Sequence, residues 1–109
     1  MTDFTAHRLS LSTGIEMDAF TAGSSENPAI VFLHGFPESH RTWRHQMVHL
    51  SDRFYCIAPD QRGYRGTSKP QDVEAYTADK LTADIFAMAD ALGVQQFVVA
   101  GHDWGGAIA

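Results

Sequence analysis

Hydrophobic positions change their period along this chain, and each change marks an element. From His7 to Ser12 apolar side chains alternate around Leu9 and Leu11. After Thr13-Gly14 the alternation resumes from Ile15 to Ala22 through Met17, Ala19 and Thr21. Period two on both sides of a turn signal predicts an opening β-hairpin. Gly23 to Pro28 is polar and turn-like, and Ala29 to Leu33 is a continuous apolar run, the pattern of a strand buried on both faces. Beyond it the period lengthens. Ser39 can cap a helix whose inward face carries Trp43, Met47 and Leu50, spaced by four and three. Phe54 to Ala58 reads as the next strand, ended by Pro59, and Arg62 to Ala75 as loop.

The second long helix has the clearest boundaries. Thr77 is a good N-cap and Asp79 suits the positive end of a helix. Leu81, Ile85, Met88, Ala89 and Leu92 form one apolar stripe, and Gly93 stops it. Phe97 to Ala100 is then another buried strand. The expected fold class is α/β, an opening β-hairpin followed by alternating strands and helices. No repeat, low-complexity tract or linker divides it. The aromatic and Met positions on the helices are core-forming and make no cofactor box.

Candidate chemistry begins where the last strand ends. Gly101-His102-Asp103-Trp104-Gly105-Gly106 follows Phe97-Val98-Val99-Ala100. Small-x-acid-x-small-small after a strand is the pattern of a nucleophile elbow, a sharp strand-to-helix turn that holds one side chain up. Gly101, Gly105 and Gly106 leave room where strand and helix pass closely, and glycine tolerates the dihedrals of such a turn. The Trp104 backbone N–H is then free to face a developing oxyanion. On these six residues alone the lesser alternative is a Gly-rich helix start capped by Asp103. A second motif bears on the choice. The run Ala29–Leu33 leads straight into His34-Gly35-Phe36-Pro37, and the loop after such a strand supplies the other oxyanion donor in this pattern. Phe36 is placed to give that N–H, Gly35 lets the backbone approach closely, and Pro37 stiffens the exit. His34, just before a Gly turn, reads as a packed, hydrogen-bonded residue and not as the catalytic base.

Taken in order, His34-Gly35-Phe36-Pro37-Glu38-Ser39, Trp43-Arg44, Pro59-Asp60-Gln61-Arg62-Gly63-Tyr64, Ser68-Lys69-Pro70 and the elbow resemble the amino-terminal half of an α/β-hydrolase of the epoxide hydrolase group. The likeness covers roughly residues 7 to 109. Arg65 departs from it, since glycine is common at that place in the family. Asp60 and Arg62 read as a buried or half-buried pair that fixes the loop after a strand, in preference to substrate contacts. The resemblance implies an incomplete α/β-hydrolase sheet. Residues 1–109 are read as a partial core domain, with the cap domain and the carboxy-terminal part of the core absent. In the family the elbow strand sits mid-sheet, so one edge of Phe97-Val98-Val99 is expected to lack its partner and to invite self-association.

The identity of the nucleophile selects the reaction. A serine needs a base to take its proton as it attacks, whereas a carboxylate is already ionised at neutral pH. Asp103 can displace a leaving group from saturated carbon, such as a strained epoxide or an alkyl halide, and form an alkyl-enzyme ester. Attack on a carboxylic ester would give a reactive anhydride, which argues against esterases and lipases. Water then attacks the ester carbon, with Phe36 and Trp104 N–H groups on the oxyanion. The activating histidine and its acid follow the nucleophile in this superfamily, and the six residues after Asp103 contain neither. The 109-residue chain is therefore expected to be inactive by itself. Haloalkane dehalogenases similar to this chain tend to carry asparagine where Phe36 stands, and fluoroacetate dehalogenases usually carry arginine where Trp104 stands. Both departures favour an epoxide as the small-molecule substrate, with a dehalogenase fragment as the alternative. A different class of alternative is a non-catalytic truncated interaction module.

Composition narrows the setting. A hydrophobic share of 44% and a charged share of 19% are ordinary for a globular protein. Eight basic against thirteen acidic residues give a net charge of −5, which argues against nucleic acid or an anionic membrane as partner. No apolar run is long enough to span a bilayer. Met1-Thr2-Asp3-Phe4-Thr5 leads to no hydrophobic segment of a signal peptide. Cys56 stands alone and reads as a buried strand residue in a reducing cytoplasm. His45 and His49 are spaced as in a zinc-binding helix, but Gln46 replaces the glutamate that would act as base. That helix face reads as solvated, with no metal and no cofactor expected.

Overall fold

The computed structural model describes residues 4–34, 40–63, 67–70 and 78–101. Alternation builds the opening hairpin, β1 (Thr5–Ser10) and β2 (Glu16–Ala22), paired antiparallel from Thr5↔Thr21 to Ser10↔Glu16. The first strand begins two residues earlier than its apolar alternation suggests. It also stops earlier, because Leu11 N–H turns to the Ile15 carbonyl at 2.8 Å and Gly14 N–H to the Leu11 carbonyl at 3.0 Å. The continuous run forms β3 (Ala29–Leu33). Next come a 3-10 helix at His40–Trp43, α1 (Arg44–Leu50), β4 (Tyr55–Pro59), α2 (Ala78–Ala91) and β5 (Phe97–Gly101).

The helix expected after Ser39 is thus split into a tight first turn and a short α-helix. Its inward face is as expected, with Met47 buried and Trp43 and Leu50 packed beside it. β4 sits one residue later than predicted, because Phe54 N–H is engaged by the Leu50 carbonyl at 2.9 Å and belongs to the turn leaving α1. Pro59 ends the strand, a position a residue without an N–H can occupy. Gly93 stops α2 with φ of 75°, and Val94 N–H closes the helix on the Ala89 carbonyl at 2.8 Å. Ser39 and Thr77, the two expected caps, lie outside the described residues.

The sheet order is β1-β2-β4-β3-β5. β2 and β4 pair antiparallel, whereas β4 with β3 and β3 with β5 pair parallel. Period two then divides the core between two faces. Met17, Ala19, Val31, Leu33, Tyr55 and Ile57 face α2, where Ile85, Ala87 and Met88 meet them. Ala22, Phe32, Cys56 and Ala58 face α1 and Met47. Among the described residues β5 is one edge of the sheet and β1 the other, and the expected missing partner of Phe97-Val98-Val99 falls on the β5 edge.

Candidate active site

Three parallel strands end on the same side of the sheet, and the candidate chemistry lies beyond their ends. The register sets Leu33 of β3 opposite Gly101 of β5. Gly101, which opens the second motif, therefore lies level with Leu33, the residue just before His34 at the head of the first. Gly101 is exposed there. Gly35, Phe36, Pro37, Asp103, Trp104, Gly105 and Gly106 lie outside the described residues.

What the structure does describe is the polar cluster at the exits of β3 and β4. His34 is 1% exposed. Its Nε2 accepts the Gln61 backbone N–H at 3.0 Å, and its carbonyl accepts the Gln61 side-chain amide at 2.8 Å. With Nε2 as the acceptor of that N–H, the geometry assigns the ring proton to Nδ1. His34 is accordingly a packed, hydrogen-bonded residue.

Asp60, also 1% exposed, holds the residue that opens the 3-10 helix. One carboxylate oxygen, Oδ1, accepts both the His40 backbone N–H and its ring Nδ1–H, each at 2.8 Å. The His40 ring stacks on Phe20, with centroids 3.6 Å apart and planes 15° from parallel. Asp60 is itself fastened to β2. Its N–H donates to the Asp18 carbonyl at 2.9 Å, and its carbonyl accepts the Thr67 hydroxyl at 2.6 Å. The same Thr67 oxygen accepts the Asp18 N–H at 3.0 Å.

Arg62 turns the other way. Its Nε and Nη2 grip the two oxygens of Asp84 in α2 at 2.9 and 2.8 Å, and Thr13 donates to Asp84 Oδ1 at 2.7 Å. The expected burial of Asp60 and Arg62 is correct, but they do not pair with each other. Each is held by a different element, because the chain turns between them and presents their side chains to opposite layers. Gln61, Thr67, His40 and Asp84 are the residues that sequence reasoning missed. Asp84 carried a signal, since it falls between Leu81 and Met88 on the apolar stripe, and a carboxylate there requires a buried cation.

The remaining candidates are inert or apart. His45 and His49 are exposed on α1, while His40 is turned to Asp60. Among the described residues no three His, Cys, Asp or Glu side chains group as a metal site. Burial pushes the Cys56 thiol up to about 11, which removes it as a nucleophile at neutral pH. No helix among the described residues is long and apolar enough to cross a membrane.

A parallel β-sheet extended by an antiparallel hairpin, with helices on both faces and candidate chemistry at the strand ends, defines an α/β-hydrolase core. The model of the alpha/beta hydrolase fold matches residues 28–109, and this chain belongs to that family. It is 41% identical over 102 residues to epoxide hydrolase A of Mycobacterium tuberculosis, covering 93% of this chain and 32% of that protein. A solved structure among novel epoxide hydrolases from metagenomes of hot environments superposes with a TM-score of 0.94 at 63% identity, over 98% of this chain and 36% of that one. The epoxide hydrolase VrEH1 of Vigna radiata superposes with a TM-score of 0.90 at 39% identity, over 96% of this chain and 32% of its own. The chain spans about a third of the length of the curated relative and the solved structures it matches.

Proposed function

We propose that this chain is the nucleophile-bearing part of an epoxide hydrolase and that Asp103 is its nucleophile. The observation that carries this reading is the parallel pairing of β3 with β5 up to Leu33↔Gly101. It brings the strand leading to His34-Gly35-Phe36-Pro37 beside the strand leading to Asp103-Trp104, as a nucleophile flanked by two backbone donors requires. The likeness to epoxide hydrolases at 41% and 63% identity supports the choice of substrate.

In this mechanism an Asp103 oxygen attacks one epoxide carbon, the ring C–O bond breaks, and the ring oxygen takes a proton from an acid outside residues 1–109. Water then adds to the ester carbon while a histidine, also outside these residues, takes its proton. The Phe36 and Trp104 N–H groups hold the oxyanion, and collapse of the intermediate releases the diol. Losing one such donor costs on the order of 3 kcal/mol of transition-state stabilisation. The substrate class is small-molecule epoxides, and the single buried thiol fits a cytoplasmic setting.

The test is a single turnover in heavy-oxygen water with the full-length enzyme that carries this segment. The label is expected in the Asp103 carboxylate, and Asp103→Asn is expected to abolish ester formation. A labelled diol with unlabelled Asp103 would mean direct hydrolysis and would overturn the covalent mechanism. Halide release from alkyl halides without epoxide opening would replace the substrate assignment with a dehalogenase.

A further inference from the structure

We infer that Asp60 and Gln61 are positioning residues for the oxyanion donor Phe36, holding both flanks of the segment that carries it. This rests on the role of Phe36 in the reading above. His34 and His40 are the described residues that flank positions 35–39 in the sequence. Two consecutive residues after β4 hold those two points. Gln61 bonds His34 at the ring and at the carbonyl, and Asp60 bonds His40 at the backbone N–H and at the ring. All four contacts lie between 2.8 and 3.0 Å.

The arrangement transmits position from the sheet. Asp60 cannot shift without breaking its bonds to Asp18 and Thr67, and both Asp60 and Gln61 are buried. Phe36 lies only two residues from the Gln61-held flank. Misplacing a catalytic group by about 1 Å can cost on the order of a hundredfold in rate. Buried polar pairs of this kind stabilise a unique arrangement when every member is satisfied.

The chemistry says which step depends on the clamp. When Asp103 attacks the epoxide, negative charge leaves its carboxylate, so weaker donation from Phe36 does not slow that step. When water adds to the ester, charge develops on the carbonyl oxygen and needs both N–H groups. Loosening the clamp therefore slows hydrolysis of the ester selectively, and the alkyl-enzyme accumulates.

Rapid-quench mass spectrometry of the full-length enzyme with excess epoxide separates the two steps. Gln61→Met keeps the backbone bond to His34 and loses the amide donor. Asp60→Asn keeps an acceptor for the His40 N–H and loses the charge. Each is expected to slow ester hydrolysis about tenfold, with ester formation within about twofold of the unsubstituted enzyme. Gln61→Glu, which sets an acceptor against the His34 carbonyl, is expected to accumulate still more ester. The ester burst counts active molecules, so partial unfolding lowers its amplitude without changing the ratio of the two rates. An unchanged ratio in both Gln61→Met and Asp60→Asn overturns the inference while leaving the covalent mechanism standing. Absence of any ester in the unsubstituted enzyme overturns the functional reading, and this inference with it.

Discussion

β4 and β5 are both five-residue apolar strands, Tyr-Cys-Ile-Ala-Pro and Phe-Val-Val-Ala-Gly, yet they occupy opposite environments. Every residue of β4 is buried, with β2 and β3 on its two edges and core clusters against its two faces. Among the described residues β5 pairs on one edge only, and Val98 is 66% exposed on the same face as Ala100. Phe86 of α2 tilts against Phe97 and is 59% exposed. A continuous apolar run predicts burial on both faces; β4 receives it and β5 does not. The sheet is complete around the β4 hub and open at β5, as suits a chain spanning about a third of its relatives' length. The two strands should therefore answer perturbation very differently.

The largest effect is expected just beyond β4. Asp84→Ala removes the carboxylate that holds the buried Arg62 guanidinium through two hydrogen bonds, and breaking a buried pair typically costs about 3–5 kcal/mol. The double replacement Arg62→Met with Asp84→Leu should recover most of that loss, because it removes both charges together. Urea unfolding of the three proteins measures both values. A cost below about 1 kcal/mol for Asp84→Ala would class the pair with weak exposed ion pairs and weaken the hub account.

Trimming each strand tests the comparison directly. Ile57 in β4 is fully buried, so Ile57→Ala should cost about 3 kcal/mol through lost burial and a residual cavity. Val98→Ala in β5 should stay within about 0.5 kcal/mol. Equal losses at the two positions would mean that β5 is covered in solution.

How much of this was legible depended on whether a feature was local. β3 was readable to the residue, because its apolar run is bounded by Pro28 and His34. The stripe of α2 and the stop at Gly93 were readable for the same kind of reason. The partners of Asp60 and Arg62 were not, since the Arg62–Asp84 contact joins residues 22 apart on different layers. No period along the chain encodes that meeting. The candidate site was legible as two motifs, but the register that sets their strands side by side belongs to neither run alone. Gln61 was read only as part of its motif and given no role, although it carries both contacts to His34.

Thiol chemistry gives a third contrast. Burial raises the Cys56 thiol from 9.0 to about 11, so at pH 8 only about a thousandth is thiolate. Alkylation should run more than about a hundredfold slower than at a cysteine placed by Val98→Cys in a Cys56→Ala background. The same shift favours the protonated thiol in the folded state. Its contribution to stability is therefore full below pH 9 and is lost as pH rises through about 11. Denaturant titrations across that range should show a shallower alkaline decline for Cys56→Ala; an identical slope would mean that the thiol is not desolvated.

The smallest effect on stability is expected at the open edge, where the effect on association should be greatest. Val98 projects from a strand whose outer backbone edge has no partner among the described residues. Such an edge is a template for pairing with another copy of the chain, and a lysine on it is a known means of blocking that pairing. Val98→Lys in the 109-residue chain should leave unfolding free energy within about 0.5 kcal/mol while lowering the mass-average size in sedimentation. A monomeric unsubstituted chain would remove self-association as a consequence of the open edge. Association that persists unchanged in Val98→Lys would move the contact to another surface. Neither result would disturb the contrast in burial between β4 and β5, because that contrast rests on packing within one chain.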